Sequence, residues 1–228
     1  MNKLDESLLA KLPPFAKLSR AQIREILDLA APRRFEANVT VFEEGEAANC
    51  FYLLLDGYIQ VVRLTPAGEQ FIALHIPSGH LFGIAAALGH TKYPATSVTT
   101  DECMCLSWPM KHLNGFLQTY DGFSEGVFSA VGKRVSDMND RILELATQQV
   151  EQRVANTLLR LVNQAGLKTD VGIKIDFPIT RQDISEMTGS TLHTVSRLLS
   201  AWEREGIIKS TRKKIVVTDP HKLVLHSN

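Results

Sequence analysis

The chain has few cysteines, no excess of either charge and no long apolar run, and each lack excludes a class of protein. Three cysteines among 228 residues are too few for the disulfide framework of a small secreted domain. The longest apolar stretches, such as residues 81–88, fall far short of the roughly 20 residues that span a bilayer. The N-terminal sequence MNKLDESLLAKLPPF carries acidic side chains and lacks a signal-peptide core. We therefore expect a cytoplasmic protein with no membrane segment.

The net charge of zero hides an asymmetry between the two parts of the chain. Residues 149–228 hold 12 Lys and Arg against 8 Asp and Glu, whereas residues 1–148 hold 13 against 17. A basic C-terminal part suits the binding of phosphate groups, although the excess is modest.

Two helix starts joined by a glycine turn are the most informative feature. Thr180 and Asp183 have the spacing of a capping box, and Ile179 and Ile184 are placed to form a hydrophobic staple. Gly189 supplies the turn that follows. Ser190 is then the expected N-cap of a second helix, which Gly206 ends. The pattern predicts a helix-turn-helix, with an ordinary helical hairpin as the alternative.

The second helix carries two opposed stripes at helical spacing. Its apolar stripe consists of Leu192, Val195, Leu198, Leu199 and Trp202. Its polar stripe consists of His193, Ser196, Arg197 and Ser200. Short hydrogen-bonding groups and one guanidinium are what a helix in the DNA major groove needs, so we interpret the polar stripe as a DNA-reading face.

After this helix, the segment IIKSTRKKIVVTD predicts two short strands around a basic turn. Such a hairpin behind a recognition helix is a wing. Its Arg212, Lys213 and Lys214 are expected to contact DNA phosphates, which adds affinity without sequence choice.

The middle of the chain has a different sequence pattern, typical of strands. Strand-like runs such as FYLLL, YIQVVRL and QFIALHI lie between Gly45, Gly57, Gly68 and Gly79, which are spaced 12, 11 and 11 residues apart. Short strands with turns at this spacing predict an antiparallel barrel or sandwich.

A heptad pattern lies between these two regions. Its apolar positions are Val131, Val135, Met138, Ile142 and Leu145. This seam favours a dimerisation helix over a helix packed on its own domain, because a palindromic DNA site requires two-fold protein symmetry.

A β-roll punctuated by glycines, a heptad helix and a winged helix-turn-helix together resemble the CRP/FNR superfamily of bacterial transcription regulators. The resemblance implies an α+β fold with an N-terminal double-stranded antiparallel β-roll like a cyclic-nucleotide-binding domain (residues 1–120). A long dimerisation helix (residues 121–146) and a C-terminal winged helix-turn-helix (residues 147–228) would follow. It also implies a homodimer that binds DNA, an effector in the β-roll, RNA polymerase as a partner, and no enzymatic activity.

Departures from the family pattern concern the effector. Members that bind cyclic AMP carry a Gly-Glu pair and a later Arg, whereas here Ile84 stands where the Glu belongs and residues 93–97 contain no Arg. We therefore predict no tight binding of cyclic AMP. No cysteine precedes Cys50, so we also predict no iron–sulfur cluster of the FNR kind. Cys103 and Cys105 alternate on a probable strand and are expected to point to one face as packing residues.

The branch that the chain most resembles is the nitric-oxide-responsive Dnr/NnrR group, which regulates denitrification genes. The residues carrying this resemblance are 93–96 and 192–197. The group is associated with haem, whose iron needs an axial donor. The candidate donors are His75, His80, His90 and His112, with Met104 and Cys105 behind them.

The family reads bases with the pattern E-x-x-S-R, which here becomes His193-x-x-Ser196-Arg197. Arg197 can bond guanine O6 and N7, and Ser196 can contact an adjacent thymine, so a palindromic TTG-like half-site is expected. His193 departs from the family, which leaves its base open. The expected phosphate contacts near the helix N-termini are Thr180, Arg181, Gln182 and Thr194.

Two alternatives stay open at this point. One is a regulator of the same family with a different small-molecule effector or none. The other is a cupin-like β-barrel metal enzyme, which is disfavoured because His75, His80 and Glu69 lack the H-x-H and Glu spacing of such a site.

Overall fold

The structure is a computed structural model that describes residues 5–227. The chain divides into two compact units. One comprises the residues up to Val62 together with His75–Asp137, and the other comprises Arg63–Leu74 together with the residues from Met138 onward. Within residues 5–227, no helix has the length and apolar character needed to cross a membrane.

The first unit is built around the predicted β-roll. Its strands are β1 (Ala31–Phe35), β2 (Thr40–Phe42), β3 (Cys50–Asp56), β4 (Tyr58–Leu64), β5 (Gln70–Pro77), β6 (Leu81–Phe82), β7 (Thr96–Thr99) and β8 (Cys103–Pro109). They form two four-stranded sheets, in the orders β1-β8-β3-β6 and β2-β7-β4-β5. The tip of the β4–β5 hairpin, Arg63–Leu74, is the part that groups with the second unit. The antiparallel pairing and the positions of the strands confirm the sequence prediction.

The four evenly spaced glycines are the turns of this roll. Gly45, Gly57, Gly68 and Gly79 all have φ between +81° and +89°, a region that L side chains rarely adopt. Space is also limiting at Gly57, where a Cβ atom would lie 2.5 Å from the carbonyl oxygen of Glu102. These turns therefore require glycine.

Three helices flank or follow the roll: α1 (Arg20–Asp28), α2 (Lys111–Thr119) and α3 (Asp121–Thr147). Ser19 caps α1 through a capping box with Gln22. Ile23 and Ile26 of α1 are fully buried, and the indole N–H of Trp108 donates to the Ile26 carbonyl at 2.8 Å. The apolar face of α1 thus closes one end of the core.

Helix α3 is the predicted heptad helix, and it is 27 residues long. Four of the five seam positions are exposed, namely Val135, Met138, Ile142 and Leu145, with Ile142 at 61%. Val131 differs, because it is partly buried against the core of its own unit. Packing within the chain already covers part of its side chain, and its place in a dimer interface stays a prediction. The other four positions form an apolar strip, which we call the α3 seam.

The second unit contains α4 (Val150–Ala165), α5 (Arg181–Thr188), α6 (Leu192–Arg204) and α7 (Pro220–Leu225). Its sheet has the order β11-β12-β10-β9, with β9 (Gly166–Thr169), β10 (Gly172–Ile175), β11 (Ile208–Thr211) and β12 (Lys214–Val217). Sequence reasoning predicted the helix pair and the wing but missed β9, β10 and α7. The two strands are only four residues long, and β9 is exposed throughout, so no alternation marks it.

Candidate nucleic-acid interface

The start of α5 forms the predicted capping box. The Thr180 N–H and hydroxyl both donate to the Asp183 carboxylate, at 2.6 and 2.8 Å, and the Asp183 N–H donates to the Thr180 hydroxyl oxygen at 3.1 Å. Ile179 and Ile184 are fully buried, as a hydrophobic staple requires. Gly189 ends α5 in the left-handed region at φ +59°. These contacts fix where α6 begins.

The N-cap of α6 is Thr191, so the prediction of Ser190 was wrong by one residue. The Thr191 hydroxyl oxygen accepts from the Thr194 N–H at 3.2 Å. The Ser190 hydroxyl instead donates to the Thr188 carbonyl at 3.4 Å, on the turn that closes α5. Both residue types can cap a helix, and the length of the turn decides between them.

The two stripes of α6 separate as predicted, with one exception. Val195, Leu199 and Trp202 are buried, and Leu198 is half-buried. Leu192 is 45% exposed, because it lies at the first residue of the helix, beyond the edge of the core. This corrects its assignment to the buried stripe.

The polar stripe faces solvent to different degrees. His193 and Arg197 are exposed, whereas Ser196 and Ser200 are half-buried. A long guanidinium and an imidazole therefore project furthest from a helix whose other face is fixed in a core. That is the arrangement needed for side chains to reach base edges in a major groove.

The wing lies beside this helix pair. Arg212 and Lys213 form the turn between β11 and β12, Lys214 opens β12, and all three are exposed. The Ile179 N–H donates to the Lys213 carbonyl at 3.0 Å, which ties the turn to the residue preceding the α5 cap. The cations thus sit on a turn held against the helix-turn-helix.

The structure divides the predicted phosphate contacts into two groups. Gln182 is exposed at the start of α5, with its amide also donating to Glu186 at 2.8 Å, and Thr194 lies half-buried in the first turn of α6. Thr180 is different, since its N–H and hydroxyl are both engaged by Asp183. Thr180 is thus the cap of α5, and its phosphate contact stays a prediction.

The Arg181 side chain is also engaged within the second unit. Its guanidinium donates to acceptors on α6 and β11, among them Glu203 at 3.0 Å and Ser210 at 3.2 Å. Sequence reasoning missed Glu203 and Ser210. The available signal was that Glu203 lies three residues after Ser200, on the same polar side of α6.

The predicted haem ligands are not brought together. The His75 ring is buried and lies beside Gln60, with 3.2 Å between Nε2 of each side chain. His80 is half-buried with its Nδ1 3.1 Å from the Ser78 carbonyl oxygen, and His90 is exposed. His112 stacks on Phe116. Within residues 5–227, no cluster of three or more His, Cys, Asp or Glu side chains is arranged to hold a metal ion.

Aromatic rings lie beside residues 82–87, the turn in which Ile84 stands where cyclic-AMP-binding members of the family carry a Glu. Phe42 and Tyr93 stack with their centroids 3.8 Å apart, and Tyr52 and Phe82 stack at 4.9 Å. The Tyr93 hydroxyl donates to the Cys50 carbonyl at 2.7 Å. Burial raises the pKa of both tyrosines, so the phenols stay protonated. We call these four rings, which lie beside Gly83, the aromatic cluster.

One cation near this turn escaped sequence reasoning. Arg134 of α3 donates from Nη2 to the Leu81 carbonyl at 2.5 Å, just before the turn that begins at Phe82. Burial lowers the pKa of Arg134 from its ordinary value. Only the fold shows this proximity, because 53 residues separate the two positions.

Cys103 and Cys105 are both buried, and Met104 between them is exposed. The prediction that both thiols point to one face of a strand is confirmed. Burial raises the pKa of each thiol to about 12, so neither is a ready thiolate at neutral pH.

Together, a β-roll, a long helix with an exposed apolar seam and a winged helix-turn-helix define a DNA-binding regulator with an effector-type domain. Residues 32–120 match the model of the cyclic nucleotide-binding domain, and residues 152–225 match that of the Crp-like helix-turn-helix domain.

Known proteins extend this result over most of the chain. The global nitrogen regulator of Nostoc sp. is 30% identical over 190 residues, which cover 82% of this chain and 84% of that protein. The CRP-like cAMP-activated global transcriptional regulator of Mycobacterium tuberculosis is 22% identical over 218 residues, covering 96% and 97%. The structure of FixK2 from Bradyrhizobium japonicum superposes with a TM-score of 0.77 at 20% identity, covering 87% and 98%.

The chain therefore belongs to the CRP/FNR superfamily of transcription regulators. Proteins of this family regulate transcription and are not enzymes, which removes the cupin-like alternative.

Proposed function

We propose that this regulator reads a palindromic DNA site as a homodimer, with His193, Ser196 and Arg197 at the base edges. The observation that carries the proposal is the division of α6. Val195 and Leu199 anchor one face in the core, while His193 and Arg197 stand exposed on the other. A rigid helix with these groups outward is complementary to a major groove.

The base chemistry follows from the donors. The Arg197 guanidinium can bond guanine O6 and N7 together, and the Ser196 hydroxyl can pair with or pack against a neighbouring thymine. These two roles predict a TTG-like half-site. The imidazole of His193 can donate or accept a hydrogen bond, whereas the Glu of other family members only accepts. The base preferred at this position should therefore differ from the one that the Glu selects.

Affinity that is independent of sequence would come from the wing and the helix N-termini. The groups available to phosphates are the exposed Gln182, Arg212, Lys213 and Lys214 and the half-buried Thr194. Each Lys or Arg contact releases counterions, so it shows as salt dependence of binding rather than as base preference.

The α3 seam supports the homodimer. Val135, Met138 and Ile142 are apolar, evenly spaced and more than half exposed. A second copy related by two-fold symmetry would cover this strip and place two recognition helices on a palindrome. RNA polymerase is the partner through which the bound dimer would act.

A selection of binding sites from random DNA at fixed salt tests the reading assignment. Wild-type protein should select a palindrome with TTG-like half-sites. His193→Glu should change one base position of the half-site and leave the others. Lys213→Ala is the matched control, because it should weaken binding without changing the motif. An unchanged motif for His193→Glu would show that His193 does not reach the bases.

We further propose nitric oxide or a related redox signal as the effector, with haem as the sensor and denitrification or anaerobic-respiration genes as the targets. His80 is the residue best suited to hold the iron. Metal-binding histidines usually donate one ring N–H to a carbonyl, and the Nδ1 of His80 lies 3.1 Å from the Ser78 carbonyl oxygen. That pairing leaves Nε2 as the donor to iron. Haem would supply a site for a diatomic gas.

The haem proposal has a spectroscopic test. Anaerobic reconstitution should give a bound-haem Soret band that shifts with nitric oxide. His80→Ala should abolish or shift the band, and exposed His90→Ala is the control. Equal spectra for wild type and His80→Ala would reject His80 as the ligand. The absence of any bound-haem band would reject haem.

Cyclic AMP is not the proposed effector. Ile84 is 3% exposed where cyclic-AMP-binding relatives carry a Glu, and residues 93–97 contain no Arg where those relatives carry one. An apolar side chain does not pair with a ribose hydroxyl, and residues 93–97 supply no cation to a phosphate. A calorimetric titration should show no binding in the micromolar range, and micromolar affinity would overturn the proposal.

Arg134 favours a second effector class, a small anion. The half-buried Arg134 guanidinium has lost part of its hydration and donates to a neutral carbonyl. A bound anion would compensate for that lost hydration better than the carbonyl does. Thermal unfolding with succinate, citrate or inorganic phosphate distinguishes this class from haem. Stabilisation of the wild type that disappears in Arg134→Gln would support an anion, and no stabilisation by any of the three would count against it.

A further inference from the structure

The guanidinium of Arg181 has every terminal N–H occupied within its own unit. Nη1 donates to the Ser196 carbonyl at 3.2 Å and to the Ser200 hydroxyl at 2.9 Å. Nη2 donates to Glu203 at 3.0 Å and to the Ser210 hydroxyl at 3.2 Å. Each Nη carries two hydrogens, so these four bonds leave only the Nε–H. A contact to a DNA phosphate through the fork would break at least one of them.

Glu203 and Ser210 complete a closed set of contacts. One carboxylate oxygen of Glu203 accepts from Arg181, and the other accepts from the Ser210 N–H at 3.0 Å and from the Ser210 hydroxyl. The Ser210 hydroxyl donates to Glu203 and accepts from Arg181, so its donor and acceptor roles are both used. These three residues, which we call the Arg181 cluster, join α5, α6 and β11.

The positions of the acceptors connect this cluster to base reading. Ser196 is itself a proposed base-reading residue, Arg197 follows it, and Ser200 lies one turn further along the same stripe. A planar guanidinium bonded to the Ser196 carbonyl and the Ser200 hydroxyl fixes the rotation and height of α6. The bond to Ser210 fixes the strand that leads into the wing.

The cluster is shielded enough to hold this geometry. The Arg181 and Glu203 side chains are 31% and 29% exposed. Isolated surface ion pairs contribute little, but a partly buried pair within a network of hydrogen bonds is held more firmly.

We propose that Arg181 is a positioning residue for DNA reading and that it acts through Glu203 and Ser210 rather than by binding a phosphate. This inference rests on the proposed function of α6. It assigns Glu203 and Ser210 to sequence recognition, although neither is placed to touch a base.

The variant Glu203→Gln distinguishes whether Arg181 positions α6 or binds a phosphate, because the two roles predict opposite changes in DNA affinity. If Arg181 positions α6, the neutral amide loosens the cluster and weakens binding to the selected site by roughly tenfold, the value of one charge-assisted bond. The base preference next to Ser196 should also broaden. The slope of log affinity against log salt should stay the same, because no phosphate contact is lost.

Glu205→Gln is the matched control. Glu205 is an exposed carboxylate two residues further on, at the C-cap of α6, so this substitution changes the net charge equally without touching the cluster. Affinities are therefore compared between Glu203→Gln and Glu205→Gln. Ser210→Ala removes the hydroxyl that links Arg181 to Glu203 without a charge change, and it should broaden the preference as Glu203→Gln does. If thermal unfolding shows that the Glu203→Gln protein does not fold, Ser210→Ala takes its place in the test.

Tighter binding and a steeper salt slope in Glu203→Gln than in Glu205→Gln would overturn the inference, because they would show a freed Arg181 reaching a phosphate. Equal affinities and motifs for the two variants would overturn it as well. Failure of the proposed function is distinguishable: it would appear as an absence of sequence preference in the wild-type protein itself.

Discussion

The DNA-reading surface and the interior of the β-roll are built in opposite ways. On α6, charged and polar side chains stand exposed on a helix that Val195, Leu199 and Trp202 hold in a core. In the β-roll, the corresponding functional region contains Ile84 and the aromatic cluster, whose rings pack against one another. The polar face of α6 presents exposed side chains to a ligand, whereas the rings of the aromatic cluster make their contacts with one another.

This difference explains why the side chains of α6 reveal more about their ligand than those of the β-roll do. A surface that reads DNA must keep its donors outward, so residue types and exposure reveal its chemistry. An apolar interior satisfies its own contacts and is equally compatible with a plain core or with a site for a small apolar ligand.

The largest effect is expected from Ile142→Glu, which places a charge in the α3 seam. If a second copy covers this residue, the charge should separate the dimer and lower the affinity for a palindrome by at least about 100-fold, because the second half-site is no longer tethered. Sedimentation equilibrium and a binding titration measure the two effects. Lys133→Glu, an exposed change on the same helix, is the control. If the Ile142→Glu protein is still a dimer, the α3 seam is not the dimer interface.

Arg197→Ala should come next. Loss of a bidentate contact to guanine should cost about 1–3 kcal/mol of discrimination per half-site. Selection at fixed salt should show the preference for one G relaxed in each half-site. Arg204→Ala removes an exposed Arg beyond the reading stripe and should leave the motif intact. The role assigned to Arg197 fails if its variant selects the wild-type motif.

Tyr93→Phe tests whether the aromatic cluster is solid core. The hydroxyl donates to the Cys50 carbonyl and accepts from the Cys50 N–H, so its loss should lower the free energy of unfolding by about 1–2 kcal/mol. Chemical unfolding monitored by circular dichroism gives the value. DNA affinity without effector should not change. A fully stable variant would mean that the Tyr93 hydroxyl contributes little and that the cluster is looser than its stacking suggests.

The smallest effect concerns the thiols of the β-roll. Burial raises the pKa of Cys103 and Cys105 to about 12, whereas an unfolded thiol titrates near ~8.5. Each thiol therefore contributes stability that is complete below the unfolded pKa and is lost as the pH rises towards 12. Unfolding titrations between pH 8 and 11 should show falling stability, and Cys105→Ala should reduce the slope. Iodoacetamide at neutral pH should modify both thiols only after unfolding. Rapid labelling of the folded protein would contradict their burial.

Much of the fold could be predicted from the sequence because the signals were local. Gly57 and Gly79 stand at turns that demand positive φ, and the Thr180–Asp183 capping box marks a helix start within four residues. The heptad spacing likewise predicted α3. In each case a short pattern of residue types is sufficient to specify the backbone.

Other features depended on distant partners and could not be predicted. Strand β10 pairs with β12, which begins about 40 residues further on, and β9 is an exposed edge strand beside β10, so neither shows a clear periodicity in its own sequence. Arg134 meets Leu81 only because α3 returns to the roll. Ser190 and Thr191 can both cap a helix, and only the geometry of the turn selects Thr191.

For the DNA-reading site, the sequence alone determined that α6 has a polar face and which groups it carries, because helical spacing places His193, Ser196 and Arg197 on one side whatever surrounds them. The tertiary structure alone decided what Arg181 does. A guanidinium at the start of a helix beside DNA suits a phosphate contact from its chemistry, yet the fold brings Ser196, Glu203 and Ser210 within hydrogen-bond distance of it. The residue type determines what a side chain can bind, and only the packing of the chain determines which partner lies within reach of it.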